Sequence, residues 1–367
     1  MRWFVHSACI AVALVMATLA QAEAPSRAPV LPIPVKIGTT YNMAQTALAF
    51  PDGRFVVGRW DGSLQLWQVP EPGALHGPRL RQSQLLPSGE GVQMIAAIDG
   101  GRLVSGHDEQ SLAVWSHQSD GLSLRSLVEF DKKFGSATSA TQFRIGSEPI
   151  LVIGHESGFV TLWRIGRWSV SLAGQMDVRS PQPVPSPFPL RHIRAVLPWR
   201  DDVVITGSED GDLTMLRIRA SEAGLVAERM ARVRYNPTAQ RGVNGLAIVG
   251  NLLVVTSCSV GESDPNLHLL RIEPGRLVPL DAARLKQDGK QAQVFAFSVV
   301  GTNHLGGPRV WVSTQEGLVW QLRVESDKFR VVSQVPVASS LGAALVYVKE
   351  RQLLVAVGHE ATVLRVP

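Results

Sequence analysis

"LVSGHDEQSLAVW" (residues 103–115) and "LVIGHESGFVTLW" (residues 151–163) decide the fold, because the same word is written twice at a fixed interval. Each begins with an apolar run too short for a helix, passes through a Gly-His-acid turn, and ends in an alternating stretch closed by Trp. Short apolar run, polar turn and period-two alternation describe two antiparallel strands joined by a hairpin. Five further versions align with them: "FVVGRWDGSLQLW" (55–67), "VVITGSEDGDLTML" (203–216), "LVVTSCSVGESDPNLHLL" (253–270), "VWVSTQEGLVWQL" (310–322) and "LVAVGHEATVLRV" (354–366). Their ends step forward by 48, 48, 53, 54, 52 and 44 residues. A period of about 40 to 50 residues that fills a chain announces a repeat architecture.

Each word is preceded by one more short strand rich in small residues, such as "QMIAAI" or "VNGLAIV", and followed by a more polar one, such as "RLRQSQLL" (79–86) or "LSLRSLVEF". Four strands per repeat make a propeller blade. The order of side-chain size agrees, since strands nearest the axis are crowded and carry Ala47, Ala96, Ala195, Ala247, Ala296 and Ala344. The fourth strand is the outer edge, where Arg81, Arg125, Arg232, Arg234 and Lys328 oppose pairing with another molecule. The seventh word ends one residue before the C-terminus and so lacks a fourth strand. The extended "VLPIPVKIGTT" (30–40) belongs to no other repeat and is expected to supply it. The fold class read from the sequence is therefore all-β: a seven-bladed propeller of four-stranded blades over residues 35–367, closed by an N-terminal strand in the last blade.

The start of the chain has a different character. "MRWFVHSACIAVALVMATLAQAEA" holds a basic residue, a short apolar run and Ala20-Gln21-Ala22, which is the pattern of a secretory signal cleaved after an A-x-A site. Residues 1–22 are expected to be a signal peptide and 23–34 a Pro-rich lead-in, giving a periplasmic or secreted protein. Nothing else approaches about 18 consecutive apolar residues, so no transmembrane segment is expected. Cys9 stands at the start of the apolar run instead of its end, and removal of the signal leaves Cys258 as a single thiol, which cannot form an internal disulfide. A formal charge of +5, falling to +4 without Arg2, is a weak and scattered field that gives no nucleic-acid signature.

Trp67, Trp115 and Trp163 at the ends of their strands, "TGSEDGDLTML" (206–216) and the entry turn "AFPDGR" (49–54) resemble the WD-repeat β-propeller family across residues 35–367. No repeat has Asp after the Trp, and Gly-His stands in the turn between second and third strands, so the family's His, Asp, Ser and Trp network is not transferred to this chain. The resemblance implies a protein-interaction scaffold, whose partner in an exported protein would be another protein of the cell envelope. A quinoprotein-like propeller, enzymatic or redox-cofactor-binding at the central mouth, is the alternative from another class. No catalytic motif supports it: G-x-S-x-G, H-E-x-x-H, C-x-x-C-H and phosphate-binding Gly loops are all missing from the sequence. No catalytic residue, cofactor or metal is assigned.

The candidate contact residues lie in the second turns. His107, His155 and His359 follow Gly in repeats two, three and seven, with Arg59 at the matching place in repeat one and Trp60 beside it. These repeats are neighbours around the ring, so the five residues are expected to form one arc on one face and to bind the partner. A shared metal needs nitrogens about 2.0 to 2.1 Å from one centre, whereas equivalent turns of adjacent blades stand roughly 10 Å apart in this architecture. The His rings either satisfy the turn or contact a partner, and Trp60 either packs on blade 2 or stands free. Elsewhere, "GESDPNLH" (261–268) spaces Glu262, Asp264 and Asn266 as a weak oxygen-ligand pattern, and "SPQPVPSPFPL" (180–190) reads as a stiff connector between blades 3 and 4.

Overall fold

The computed structural model describes residues 35–36, 44–71, 76–86, 89–99, 101–118, 121–185, 191–200, 202–236, 241–259, 264–285, 294–304, 307–337 and 344–366. The signal-like segment and the lead-in lie outside them. Counting from the N-terminus, β1 is Val35–Lys36, and the blades follow in strands a to d from the axis outward. Blade 1 is β2 (Ala44–Ala49), β3 (Arg54–Arg59), β4 (Ser63–Gln68) and β5 (Arg79–Leu85). Blade 2 is β6 (Val92–Ile98), β7 (Arg102–His107), β8 (Ser111–Gln118) and β9 (Gly121–Glu129). Blade 3 is β10 (Ala137–Ile145), β11 (Glu148–His155), β12 (Phe159–Ile165) and β13 (Val170–Asp177). Blade 4 is β14 (Ile193–Arg200), β15 (Val203–Ser208), β16 (Asp212–Ser221) and β17 (Gly224–Arg234). Blade 5 is β18 (Val243–Val249), β19 (Leu252–Ser259), β20 (Leu267–Glu273) and β21 (Arg276–Ala283). Blade 6 is β22 (Val294–His304), β23 (Gly307–Thr314), β24 (Leu318–Glu325) and β25 (Lys328–Pro336), and blade 7 is β26 (Ala344–Val348), β27 (Leu353–Val357) and β28 (Glu360–Arg365).

Every blade is an antiparallel meander, and all six Ala positions read as inner-strand residues fall on strand a. The b and c strands are buried on both faces: Arg102–His107 carries Leu103 and Val104 at 0 % exposure although their side chains point to opposite neighbours. Leu103 joins the cluster shared with blade 1 and Val104 the cluster shared with blade 3. Apolar runs without alternation are what a strand packed on both faces requires, and this is why the words read as near-continuous Val, Leu and Ile. Strand d alternates instead, with Arg79–Leu85 mostly exposed.

Val35–Lys36 lies antiparallel to β28, with Val35 opposite Ala361 and Lys36 opposite Glu360. An N-terminal segment thus occupies the outer position of blade 7 over these two residues; the rest of 30–40 lies outside the described residues. Blades 5 and 6 depart from the simple plan. Cys258 and Ser259, at the end of β19, pair with Phe295 and Val294 of β22, so backbone hydrogen bonding runs from one blade into the next. Cys258 is buried, and burial pushes its thiol up to about 12. The connector after blade 3 is tied down at Val184, whose N–H donates to the Asp210 carbonyl (2.9 Å) and whose side chain enters the blade 4 core. Arg234 donates to the carbonyls of Asp210 and Gln182, so this outer-strand cation anchors the connector rather than merely guarding an edge.

Candidate functional site

The turns between strands b and c of blades 1, 2 and 3 share one face with the links that enter the following blades. In blade 1 the turn is Arg59-Trp60-Asp61-Gly62. The Asp61 carboxylate accepts from the Ser63 N–H (2.9 Å), and Gly62 takes φ +80, a conformation that favours glycine. A Cβ there would stand 2.6 Å from the Glu90 carbonyl, so the turn is pressed on the link into blade 2. At its tip Trp60 is 57 % exposed, the most exposed aromatic ring among the described residues. Arg59, one residue earlier, ends strand b and is 8 % exposed.

The two histidines behave oppositely to Trp60. His107 and His155 are 0 % exposed, which removes both rings from any surface contact. The expectation that they reach a partner is corrected by strand parity: His107 is two and four residues beyond Ser105 and Leu103, so all three point toward blade 1. His107 Nε2 is 2.8 Å from Ser105 Oγ, and the same oxygen accepts from Trp115 Nε1 at 2.9 Å. His155 Nε2 is 2.7 Å from Thr161 Oγ1, which accepts from Trp163 Nε1 at 2.7 Å. Phe130 and Phe134 enclose the second ring, with centroids 5.1 and 5.2 Å away. Burial pushes both imidazoles down to about 4, so each is neutral near pH 7.

A His–hydroxyl–Trp network is therefore present, although the family's network was not expected to transfer. The hydroxyl changes strand between blades. In blade 2 it is Ser105 on strand b, opposite Ala113; in blade 3 it is Thr161 on strand c, opposite Ile153. Directly opposed residues share a face and stand close enough to exchange roles. Blade 1 uses a third version, in which Trp67 Nε1 donates to Gln65 Oε1 (3.1 Å). Ser105, Thr161 and Gln65 escaped sequence reading because their role depends on register across the hairpin.

His359 does not belong to this set. The pairs Val357↔Ala361 and Gly106↔Leu112 are equivalent, and the seventh hairpin between them is two residues shorter. Gly358 takes the place of His107, and His359 moves into the bend, half-buried. Of the five candidates the structure leaves Trp60 more than half exposed, His359 half-buried, and Arg59, His107 and His155 inside.

The acids of the turns have local work. Asp108 accepts from Gln93 Nε2 (2.6 Å), and Glu90 accepts from the Glu109 N–H (3.3 Å) and from Ser111. Burial, then Glu109, raises the Glu90 carboxyl above its ordinary range. The oxygen-ligand pattern at 261–268 is not realised at Asn266, whose amide exchanges both hydrogen bonds with the Leu285 backbone (2.9 and 2.8 Å). Glu262 lies outside the described residues. On the opposite face sequence reading missed Trp168, 42 % exposed between the guanidinium groups of Arg125 and Arg167 (5.0 and 5.6 Å to the ring). No described helix is long and apolar enough to cross a membrane.

No family model and no curated protein matches the chain. Solved structures do. U3-55K superposes with a TM-score of 0.66 at 15% identity, covering 94% of this chain and 100% of that one. The WD40 repeats of RRP9 superpose with a TM-score of 0.67 at 15% identity, covering 94% of this chain and 99% of that one. The fold is that of a WD40-repeat propeller.

Proposed function

We propose that this chain is an exported interaction scaffold that docks another protein of the cell envelope on the face of its b–c turns, with Trp60 as the anchor. The observation that carries the reading is a Trp ring 57 % exposed at a turn tip whose backbone is held by Asp61, Gly62 and the Glu90 link. Large aromatic side chains on rigid supports are enriched among residues that dominate binding energy. The propeller fold supports a scaffold in general, and the A-x-A signal pattern before Glu23 supports export.

The test is capture from native envelope with the mature protein and its Trp60→Ala variant, after circular dichroism and melting show that the variant is folded. Loss of one specific captured protein is the expected result. Unchanged capture would move the contact to another face. Intact-mass measurement of the exported protein should show a chain beginning at Glu23; retention of Met1, or lipid on Cys9, would overturn the export assignment.

A further inference from the structure

In blade 6 three guanidinium groups share one row of the sheet. Arg309 on β23 is directly opposite Arg323 on β24, which is directly opposite Arg330 on β25; Thr302 on β22 completes the row opposite Arg309. Opposed residues of an antiparallel ladder point to the same side, and strands are about 4.8 Å apart, so the three cations are rooted within roughly 10 Å. Like charges in this arrangement oppose sheet formation. Trp311, two residues beyond Arg309 on the same strand, packs with Leu345 and Leu354 of blade 7, so the row faces the seam between blades 6 and 7.

Three donors at this seam, on Thr302, Trp311 and Arg323, lack acceptors among the described residues. Thr302 is 6 % and Trp311 3 % exposed, and among the described residues neither the hydroxyl nor the indole N–H has a hydrogen-bond partner. Arg323 Nε is likewise buried without one. Among the described residues neither Arg323 nor Arg330 forms an ion pair, in contrast to Arg271 in blade 5, which holds Asp327. The nearest carboxylate in register, Glu325, stands at the rim opposite Lys328. Arg330 is exposed, which opens the row to solvent. Buried donors without acceptors carry an uncompensated desolvation cost that an incoming acceptor removes.

We infer that the seam between blades 6 and 7 binds a phosphate-type oxyanion through Thr302, Trp311, Arg323 and Arg330. A phosphate group brings about two negative charges and three acceptor oxygens, and guanidinium forks match its geometry. A carboxylate brings one charge for the two guanidinium groups of Arg323 and Arg330. Free phosphate, a phosphomonoester on a partner protein and a phospholipid headgroup share this chemistry.

The test is calorimetric titration of the mature protein at constant ionic strength. The probes are inorganic phosphate, a phosphoserine peptide, and vesicles with and without phosphatidate; acetate and the unphosphorylated peptide serve as comparators. At least one phosphate-bearing probe should bind saturably, and whichever binds tightest identifies the source. Arg323→Gln and Arg330→Gln should each weaken that binding about tenfold or more. Without phosphate, Arg323→Gln should melt no lower than the parent, because it relieves repulsion in the row. Should Arg323→Gln fail to fold, Arg330→Gln on the exposed outer strand carries the test. The inference is overturned if no phosphate probe binds saturably, if acetate binds as tightly, or if affinity is unchanged in the folded variants.

Discussion

Acidification from pH 7 to pH 5 should destabilise this propeller strongly, and the buried imidazoles set the size of the effect. His107, His155 and His268 are each held near 4 by burial, against about 6.5 in an unfolded chain. A histidine with a depressed folded value is neutral in the fold and binds its proton first in the unfolded state. Its contribution is therefore complete above about pH 6.5 and is lost progressively as pH falls toward 4. Integrating proton uptake between pH 7 and 5 gives about 2 kcal/mol for each ring, or about 6 kcal/mol for three. Carboxylates with lowered values, such as Asp52, Asp177 and Glu156, titrate mainly below this window. The assay is urea unfolding at pH 7, 6 and 5 of the parent and of the His107→Gln, His155→Gln double variant. The variant should start lower at pH 7, because Gln does not fill the rings' packing. Between pH 7 and 5 it should lose about 4 kcal/mol less than the parent. Equal losses in the two proteins would refute the placement of these rings as neutral buried groups.

Two further outcomes follow from the same structure. Ser105→Ala strips the acceptor from Trp115 and the partner from His107, leaving two buried groups unsatisfied, and should cost about 2 to 4 kcal/mol; adding Ala113→Thr, the blade 3 arrangement, should restore much of it, and failure of that rescue in thermal unfolding would show that the hydroxyl cannot change strands. Deleting residues 30–40 should lower the melting temperature by several degrees or cause aggregation through an exposed edge of β28, whereas deleting 23–28 should be silent; a long deletion as stable as the parent would exclude closure by this segment.

Blade number and strand order were legible because each repeat states its two-strand hairpin in local residues, and the period alone distributes seven copies along the chain. Inner-strand Ala residues were legible for the same reason, since crowding at the axis selects small side chains whatever their neighbours are. The roles of the turn residues were not, although part of the signal was present. Leu103, Ser105 and His107 share one parity, which already places the imidazole on a blade-facing side. What the sequence withholds is the partner across the hairpin, so Ala113 and Ile153 look unrelated to a polar network until register pairs them with Ser105 and Thr161. His359 looked equivalent to His107 because motif matching ignores a hairpin shortened by two residues. Trp60 stayed exposed, as its place in a turn allowed. The Arg309–Arg323–Arg330 row was invisible because its members are separated in sequence and meet only across three strands.

The pairing of β19 with β22 changes how the ring should respond to load. Where blades meet through side chains alone, a seam can widen by sliding apolar surfaces, at little cost per small step. Between blades 5 and 6 the ladder through Cys258 and Ser259 is directional and resists separation until its hydrogen bonds break. These two blades form a stiff sector of the ring, and breathing of the central opening, or entry of a wedge-like partner, must be taken up by the compliant sectors elsewhere. The amide proton of this pair that donates across the ladder to β22 should accordingly exchange among the slowest at any blade boundary.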